Sequence, residues 1–449
     1  MKPYYYIFIL SCCFVSCKKY LDAKPDKKLE IPNKIADVQA LLDNESIMNL
    51  NDPATGEISA DNYYVTDAAW ASIYSVSQRN MYTWEKDITL SDFPNHWSIL
   101  YQIVGVANVA LESIDKITPS GYEQGAWNNV KGSALLYRAK SFLAVAGLWA
   151  KAYDVKTVES EPGIPLRLSS DYEVPTSRST LKQTYERIID DLKEASPLLP
   201  LQPANVMRPS RAAALGLLAR TYLMMSLYDS AEIYSEKCLS INSNLLDYNI
   251  LDTNASAPIP QFNAEVIMHS RMPIPGIFYH KAKIDTTLYK LYSDNDLRKK
   301  IFFSDNGDST YWFKGSYDHS IALFNGIATD EMYLIKAECQ ARERNTQDAM
   351  ITLNTLLKNR WKKGTFIPLS ATDMQSALEI VLFERRKELI FRDLRWTDLK
   401  RLNKEPAFQQ TILRKLNGVE YKLEPGDNRY ALPIPQSVIN ISGIQQNPR

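Results

Sequence analysis

Two segments far apart in the chain share one layout, and this repeat constrains the fold more than any other feature. Residues 217–239 read LLARTYLMMSLYDSAEIYSEKCL, and residues 334–357 read LIKAECQARERNTQDAMITLNTLL. Their apolar residues recur at helical spacing on both sides of a polar break, which predicts two helices joined by a short turn. Each segment has two alanines 12 residues apart: Ala219 and Ala231, then Ala337 and Ala349.

These alanines occupy positions typical of a tetratricopeptide hairpin, whose two helices cross so closely that small residues are needed. Tyr222 and Tyr228 stand where that pattern has aromatic residues. Gln340 and Asn345 replace them in the second copy, which is therefore the weaker match. We predict a mainly α fold in which such helical hairpins stack as a scaffold.

Helical periodicity also extends outside the repeat. It predicts helices over residues 127–150 and 180–199, the second capped at Ser179 or Thr180 and stopped by proline. Residues 49–95 and 246–317 differ, because they are rich in Pro, Asn, Asp, Gly and aromatic residues. They predict long loops with short strands, and loops of this length usually carry function.

The first residues have the order of an export signal. Residues 1–16 are MKPYYYIFILSCCFVS, a lysine and then an apolar run too short to cross a bilayer as a helix. Phe14 to Cys17 approximates a lipobox, so we expect Cys17 to be acylated. Cys12 is a competing cysteine, and a cleaved signal with a soluble product is the alternative. Acyl chains on Cys17 would hold the protein to a membrane through a polar tether, residues 17–32.

Charge and missing motifs exclude several classes of protein. Lys plus Arg and Asp plus Glu both number 52, so no net field attracts nucleic acid. The four histidines lack paired-ligand spacing, and no Walker loop, C-x-x-C or G-x-S-x-G is present. Cys238 and Cys339 are too few for a disulfide framework and are expected to be buried. The sequence therefore predicts no metal, no cofactor and no nucleic-acid partner.

Glu384 and Glu388 are the best local candidates for a catalytic pair, because they lie one turn apart on a predicted helix. Several arginines surround them, and a carboxylate beside an arginine is held ionised instead of serving as an acid. We therefore expect a structural ion-pair network and no catalytic residue. The expected members are Glu384, Arg385, Arg386, Glu388 and Arg395.

The same segment resembles a known family. FERRKEL at residues 383–389 and RWTDLKR at residues 395–401 are similar to the E-R-R-x-E-L and R-W-x-D-L-x-R signature of SusD-like proteins. YALPIPQ and the final QNP resemble their closing motifs. RAKSF, GIPL, ARTYL, a D-x-R and EMYLIKAE follow one another in the order that the family shows. By these motifs the chain is identified as a member of the SusD/RagB-like family over essentially its whole mature length.

This resemblance implies a SusD-like domain over residues 33–449, with an N-terminal part at 33–245, a loop-rich middle at 246–320 and a C-terminal motif region at 321–449. It implies a lipoprotein of the cell outer membrane, facing the exterior, that acts as a lid on a SusC-like TonB-dependent receptor. The implied ligand is a nutrient oligosaccharide, or a peptide in some members, and no catalysis is implied.

Two other function classes remain open. A lipid-anchored helical-repeat scaffold would bind proteins or peptides on its concave surface. An enzyme would need a buried, unpaired carboxylate pair in a cleft.

The family's ligand site uses an early and a later loop, which correspond to residues 61–84 and 279–312. A sugar needs an aromatic ring for its apolar face and polar groups for its hydroxyls. The chain has 26 Tyr and 8 Trp, so rings are plentiful, and core packing or contact with the receptor is the alternative for each. The predicted ligand-binding residues are Trp70, Trp84, Tyr311, Trp312, Asp61, Asn62 and Arg79. Trp97 and Trp396 are expected in the core.

Overall fold

Helices make up most of the regular structure. The computed structural model describes residues 32–86, 88 and 94–449. The signal segment, Cys12, Cys17 and the tether up to residue 31 lie outside the described residues. The described helices are α1 Ile35–Leu42, α2 Glu45–Met48, α3 Thr55–Ser59, α4 Asp67–Ala71, α5 Val76–Tyr82, α6 His96–Ile114, α7 Gln124–Trp149, α8 Leu181–Leu198, α9 Arg211–Met224, α10 Tyr228–Ile241, α11 Thr286–Tyr289, α12 Arg298–Phe302, α13 Thr329–Arg342, α14 Thr346–Leu357, α15 Met374–Glu388, α16 Arg395–Leu402 and α17 Gln436–Ser442.

The described strands are short and pair two by two. They are β1 Tyr63–Tyr64, β2 Pro162–Pro165, β3 Arg178–Thr180, β4 Val266–Met268, β5 Arg271–Met272, β6 Lys283–Ile284, β7 Phe303–Asp305, β8 Tyr311–Phe313, β9 Leu323–Phe324, β10 Ile327–Ala328, β11 Ile412–Leu416 and β12 Val419–Leu423. All six pairs are antiparallel: β1–β6, β2–β3, β4–β10, β5–β9, β7–β8 and β11–β12.

Both predicted hairpins are present. α9 packs against α10, α13 packs against α14, and α10 packs against α13, so the two hairpins stack on each other. All four of their predicted crossing alanines are fully buried. Tyr222 stacks on Tyr234 with 5.4 Å between the ring centroids. In the second copy, Gln340 accepts a hydrogen bond of 2.8 Å from Thr352 instead. The predicted mainly α fold with a helical-hairpin scaffold is confirmed.

The scaffold continues on the N-terminal side with α6, α7 and α8, each packed against the next. By length and composition α6 is the one described helix that could cross a membrane, yet half of its most apolar stretch is buried within the protein. Trp97 and Trp396 are both buried, as expected. Cys238 and Cys339 are free thiols, also buried. The scaffold is thus a packed core with no reactive cysteine on its described surface.

The segments predicted as loops contain more helix than expected. α3, α4 and α5 lie within residues 49–86, while α11 and α12 lie within residues 246–317. These helices have four to seven residues each. That is too short for a period of 3.6 residues to become visible in the sequence.

Candidate functional site

The β1–β6 pair joins the two segments in which ligand contacts are predicted. Tyr63 pairs with Ile284, and Tyr64 pairs with Lys283. Because successive strand residues point to opposite faces, Tyr63 and Ile284 enter the core, whereas Tyr64 and Lys283 remain partly exposed. The early and later loops therefore share one outer face.

A groove of about 350 Å³ lies beside this pair. We call it the β1 groove, and its lining includes Asp61, Tyr64, Asp285, Arg386, Thr411 and Lys415. Its volume lies within the range of roughly 300–1,000 Å³ that is usual for small-molecule sites. The groove combines one partly exposed aromatic ring with carboxylate, hydroxyl and cationic groups. Such a mixture suits a ligand that has both an apolar face and hydroxyl groups.

Asp61 anchors the base of the β1 groove. Its carboxylate accepts hydrogen bonds from Arg395 at 2.7 and 2.9 Å, from Arg386 at 3.0 Å and from Gln410 at 2.7 Å. Burial alone would raise the pKa of Asp61, but Arg395 and Arg386 outweigh it and hold that pKa well below its usual range. Only 8% of its side chain is exposed. Asp61 thus ties the early loop to α15 and α16, a role that the sequence did not reveal.

Two residues predicted to contact a ligand lie in the core instead. Trp84 is 2% exposed, and its indole Nε1 donates to the carbonyl oxygen of Ser59 at 3.0 Å. Asn62 is buried as well, and its amide donates to Glu57 at 3.1 Å. A group enclosed by protein cannot touch a ligand, so the predictions for Trp84 and Asn62 are corrected to internal packing.

The other predicted rings keep part of their surface exposed. Trp70 packs beside the Tyr82 ring at a centroid distance of 5.5 Å. Tyr311 stacks on Tyr289 at 3.6 Å. Trp312 is the next residue of β8, so its side chain points to the opposite face of that strand from Tyr311. These two neighbouring rings therefore cannot form one continuous platform.

Hydrogen bonds connect the β7–β8 hairpin to β6, the strand that pairs with β1. The Lys283 amine donates to Thr310 at 2.6 Å and to Asp308 at 2.8 Å, which holds the β7–β8 hairpin against β6. Arg79, predicted as a polar contact, is partly exposed on α5. Its neighbour Gln78 accepts the backbone N–H of Ile277 at 2.9 Å, so α5 adjoins the later loop.

Sequence reasoning missed three partly exposed residues: Tyr64, Lys283 and Tyr289. The alternation of strand side chains could have singled out Tyr64 from its buried neighbour Tyr63. No local signal indicated Lys283 or Tyr289, because their placement depends on β1 and on the β7–β8 hairpin.

The five expected members of the ion-pair network all make ion pairs, mostly with residues from other elements. Glu384 and Glu388 accept from Arg298, a buried residue of α12, at 2.6 and 2.9 Å. Arg385 pairs with Asp398 at 2.8 Å. Glu388 also pairs with Arg360 at 2.7 Å. The remaining members, Arg386 and Arg395, pair with Asp61 at 3.0 and 2.7 Å. This arrangement holds the early and later loops to the C-terminal helices.

Two neighbouring carboxyl groups, those of the buried Glu57 and the partly buried Asp393, lie outside the lining of the β1 groove. Glu57 accepts the backbone N–H of Asp393 at 2.7 Å, and both side chains face the interior. Burial raises the pKa of Glu57 to about 7, and it raises the pKa of Asp393 well above its usual range. The cavity beside Asp393 measures about 70 Å³. That space is far smaller than the roughly 300–1,000 Å³ that is usual for a small-molecule site.

Among the residues that the structure describes, no group of three or more His, Cys, Asp or Glu side chains could hold a metal ion. The β1 groove offers hydrogen-bonding groups and an aromatic ring.

The protonated Glu57 should make stability depend on pH. The folded protein keeps this proton up to about pH 7, whereas an unfolded chain loses it near pH 4.5. The neutral Glu57 therefore contributes on the order of 3 kcal/mol to the free energy of unfolding. This contribution is complete below about pH 4.5 and is lost as the pH rises through 7. We expect Glu57→Gln, which mimics the neutral acid, to melt at a higher temperature than the wild type at pH 8 but not at pH 5. Glu379→Gln, at an exposed site, is the control, and an equal pH dependence in wild type and Glu57→Gln would contradict the assignment.

The fold and the groove define a class: a mainly α protein with a helical-hairpin scaffold and a loop-rich half that carries a ring-edged groove. Residues 19–223 match a family model described as starch-binding associating with outer membrane. Residues 329–449 match the model of the SusD family. The chain belongs to the SusD/RagB-like family.

Solved structures share the fold over nearly the whole chain. A SusD superfamily protein from Bacteroides thetaiotaomicron is 22% identical, with a TM-score of 0.74, and covers 93% of this chain and 100% of its own. A SusD-like carbohydrate binding protein from Bacteroides vulgatus is 18% identical, with a TM-score of 0.66, and covers 92% and 97%. At these identities the likeness establishes the fold alone. Among curated proteins, none matches the sequence.

Proposed function

We propose that the protein is a lipid-anchored outer-membrane protein that binds a nutrient oligosaccharide in the β1 groove and delivers it to a SusC-like TonB-dependent receptor, without catalysis. The β1–β6 pair is the observation that carries the proposal, because it places Tyr64 of the early loop beside the later loop on one open face. The description of the matching family model as starch-binding supports a carbohydrate ligand.

The groove offers what a sugar requires. The apolar face of a sugar ring would lie on Tyr64, and its hydroxyls would bond to Asp285, Thr411 and Lys415 within the groove. Tyr311, Trp312, Trp70 and Arg79 would flank a longer oligosaccharide. In this proposal the tether of residues 17–32 holds the domain at the membrane through an acylated Cys17.

A scaffold that binds proteins on a helical concavity is less well supported. Eleven of the 14 residues of α9 are buried, and so are 11 of the 14 residues of α13. α9 and α13 are thus covered by the rest of the chain, whereas α10 has only three of its 14 residues buried. Little surface of α9 and α13 is left for a partner, in contrast to the open β1 groove.

A glycan panel tests the proposal. The mature chain from residue 18 onward would be screened against oligosaccharides of different linkage, and affinities would be measured by titration calorimetry. We expect Tyr64→Ala to weaken binding about tenfold or more, since the loss of a central ring commonly costs more than 1.4 kcal/mol. Trp312→Ala should weaken binding of longer ligands.

Tyr74→Ala is the matched control, because Tyr74 lies in the same part of the chain but is 100% exposed and outside the groove. It should bind as the wild type does. The proposal fails if the wild type binds no glycan of the panel, or if Tyr64→Ala and Tyr74→Ala bind equally well.

A further inference from the structure

We infer that Arg414 is the positioning residue of the β1 groove: its guanidinium clamps the backbone around β1 and so fixes the ring of Tyr64. The consequence for binding rests on the proposed function. The clamp itself rests on contacts within the protein, so the two can fail separately.

Arg414 reaches the early loop from the C-terminal β-hairpin. It is the central residue of β11, opposite Tyr421 of β12, and it is 6% exposed. One terminal nitrogen, Nη1, donates to the carbonyl oxygen of Tyr82. The other, Nη2, donates to the carbonyl oxygens of Ser59, at 3.1 Å, and Ala60. A single side chain therefore joins the end of α5 to the residues that lead into β1.

Three aromatic rings surround the same guanidinium. Its central carbon lies 3.6 Å from the ring centroid of Tyr82, 4.4 Å from that of Trp84 and 5.7 Å from that of Tyr63. Burial lowers the pKa of Arg414, so the cation depends on carbonyl dipoles and ring faces for its stabilisation. A cation bound in this way holds loop backbone, where an ordinary ion pair would hold only another side chain.

Tyr82 is held from two directions. Arg414 binds its carbonyl oxygen, and its hydroxyl accepts the backbone N–H of Val65 at 3.1 Å. Tyr64 lies between Val65 on one side and the clamped Ala60 on the other. The ring that edges the groove is therefore pre-positioned, which reduces the ordering that a ligand must impose.

A lysine cannot replace this side chain. The guanidinium is a planar fork whose nitrogens donate in fixed directions while its face stacks on rings, whereas an ammonium is a compact point charge. Arg414→Lys keeps the positive charge and much of the length, and so isolates the geometry of the fork.

The test combines local hydrogen exchange with affinity. We expect Arg414→Lys to speed amide exchange about tenfold within residues 58–65, to leave α9 and α13 unchanged, and to weaken glycan binding about tenfold. Saturating glycan should restore protection in the variant. The matched control is Arg211→Lys, since Arg211 also donates to backbone carbonyl oxygens, those of Ser196 and Pro197, but within the scaffold. It should change neither quantity.

Three results would overturn the inference. Arg414 also borders the β1 groove, so if affinity falls while exchange within residues 58–65 is unchanged, Arg414 contacts the ligand directly and does not position Tyr64. If exchange rises within residues 58–65 but affinity is unchanged, Arg414 packs the loop without positioning the site. If exchange rises throughout the chain in both Arg414→Lys and Arg414→Gln, the residue supports the whole fold. A wild-type protein that binds no glycan would defeat the proposed function, and the exchange within residues 58–65 would still decide whether the clamp exists.

Discussion

Glu388→Ala is expected to lower the free energy of unfolding by about 3–5 kcal/mol, the usual cost of breaking a buried ion pair by removing one partner. Glu388 bridges two fully buried guanidiniums: it accepts from Arg298 at 2.9 Å and from Arg360 at 2.7 Å. Without it both cations stay desolvated and lose a counter-charge. Urea unfolding at pH 7, followed by circular dichroism, measures the loss.

Glu379→Ala is the matched control for this prediction. Glu379 lies on the same helix, α15, but it is exposed and bonds to Gln375 only at the surface. Its replacement should change the unfolding free energy by no more than about 0.5 kcal/mol. Equal values for the two variants would show that the buried network contributes nothing beyond the helix itself.

Trp84→Ala should also cost about 3–5 kcal/mol, because it removes a large ring from a packed interior and leaves a cavity. The same change deletes the hydrogen bond to the carbonyl oxygen of Ser59 and one ring of the Arg414 enclosure. Differential scanning calorimetry would show a melting transition several degrees below that of the wild type.

A comparison with Tyr74→Ala separates the two roles that an aromatic residue of this loop can have. The fully exposed Tyr74 should be replaceable without effect on the melting temperature. If Trp84→Ala had the same melting temperature as the wild type, the Trp84 ring would not be part of the core. Its assignment as a ligand contact would then have to be restored.

Helix boundaries were predictable where the determining contacts are local. Thr180 caps α8 by accepting the backbone N–H of Gln183 at 3.1 Å, a contact that acts within one turn. The same helix ends at Leu198, because Pro200 forces Leu199 into an extended conformation. Only the position of Pro197 differs from expectation, since it lies inside the last turn and does not end the helix.

The candidate site was less predictable, because the direction of a loop side chain depends on distant partners. Trp84 turns inward toward Ser59 and Arg414, while Tyr64 turns outward opposite Lys283. Both rings belong to the same predicted loop, and its amino-acid composition does not show which of them is buried. The charged segment of α15 likewise predicted ion pairs. Its partners Arg298 and Arg360 could not be predicted, because they come from other parts of the chain.

The sequence by itself determined the helical hairpins and their close crossings, because caps, periodicity and small residues act over a few turns of one chain segment. Tertiary structure alone decided the groove. Tyr64 meets Lys283, and Arg414 meets Ser59 across 355 positions, and such pairings form only when the packed scaffold brings separate loops together. The physical reason is that closing a long loop costs conformational entropy, which many long-range contacts offset together. No single residue in the sequence therefore indicates which distant residue it will contact.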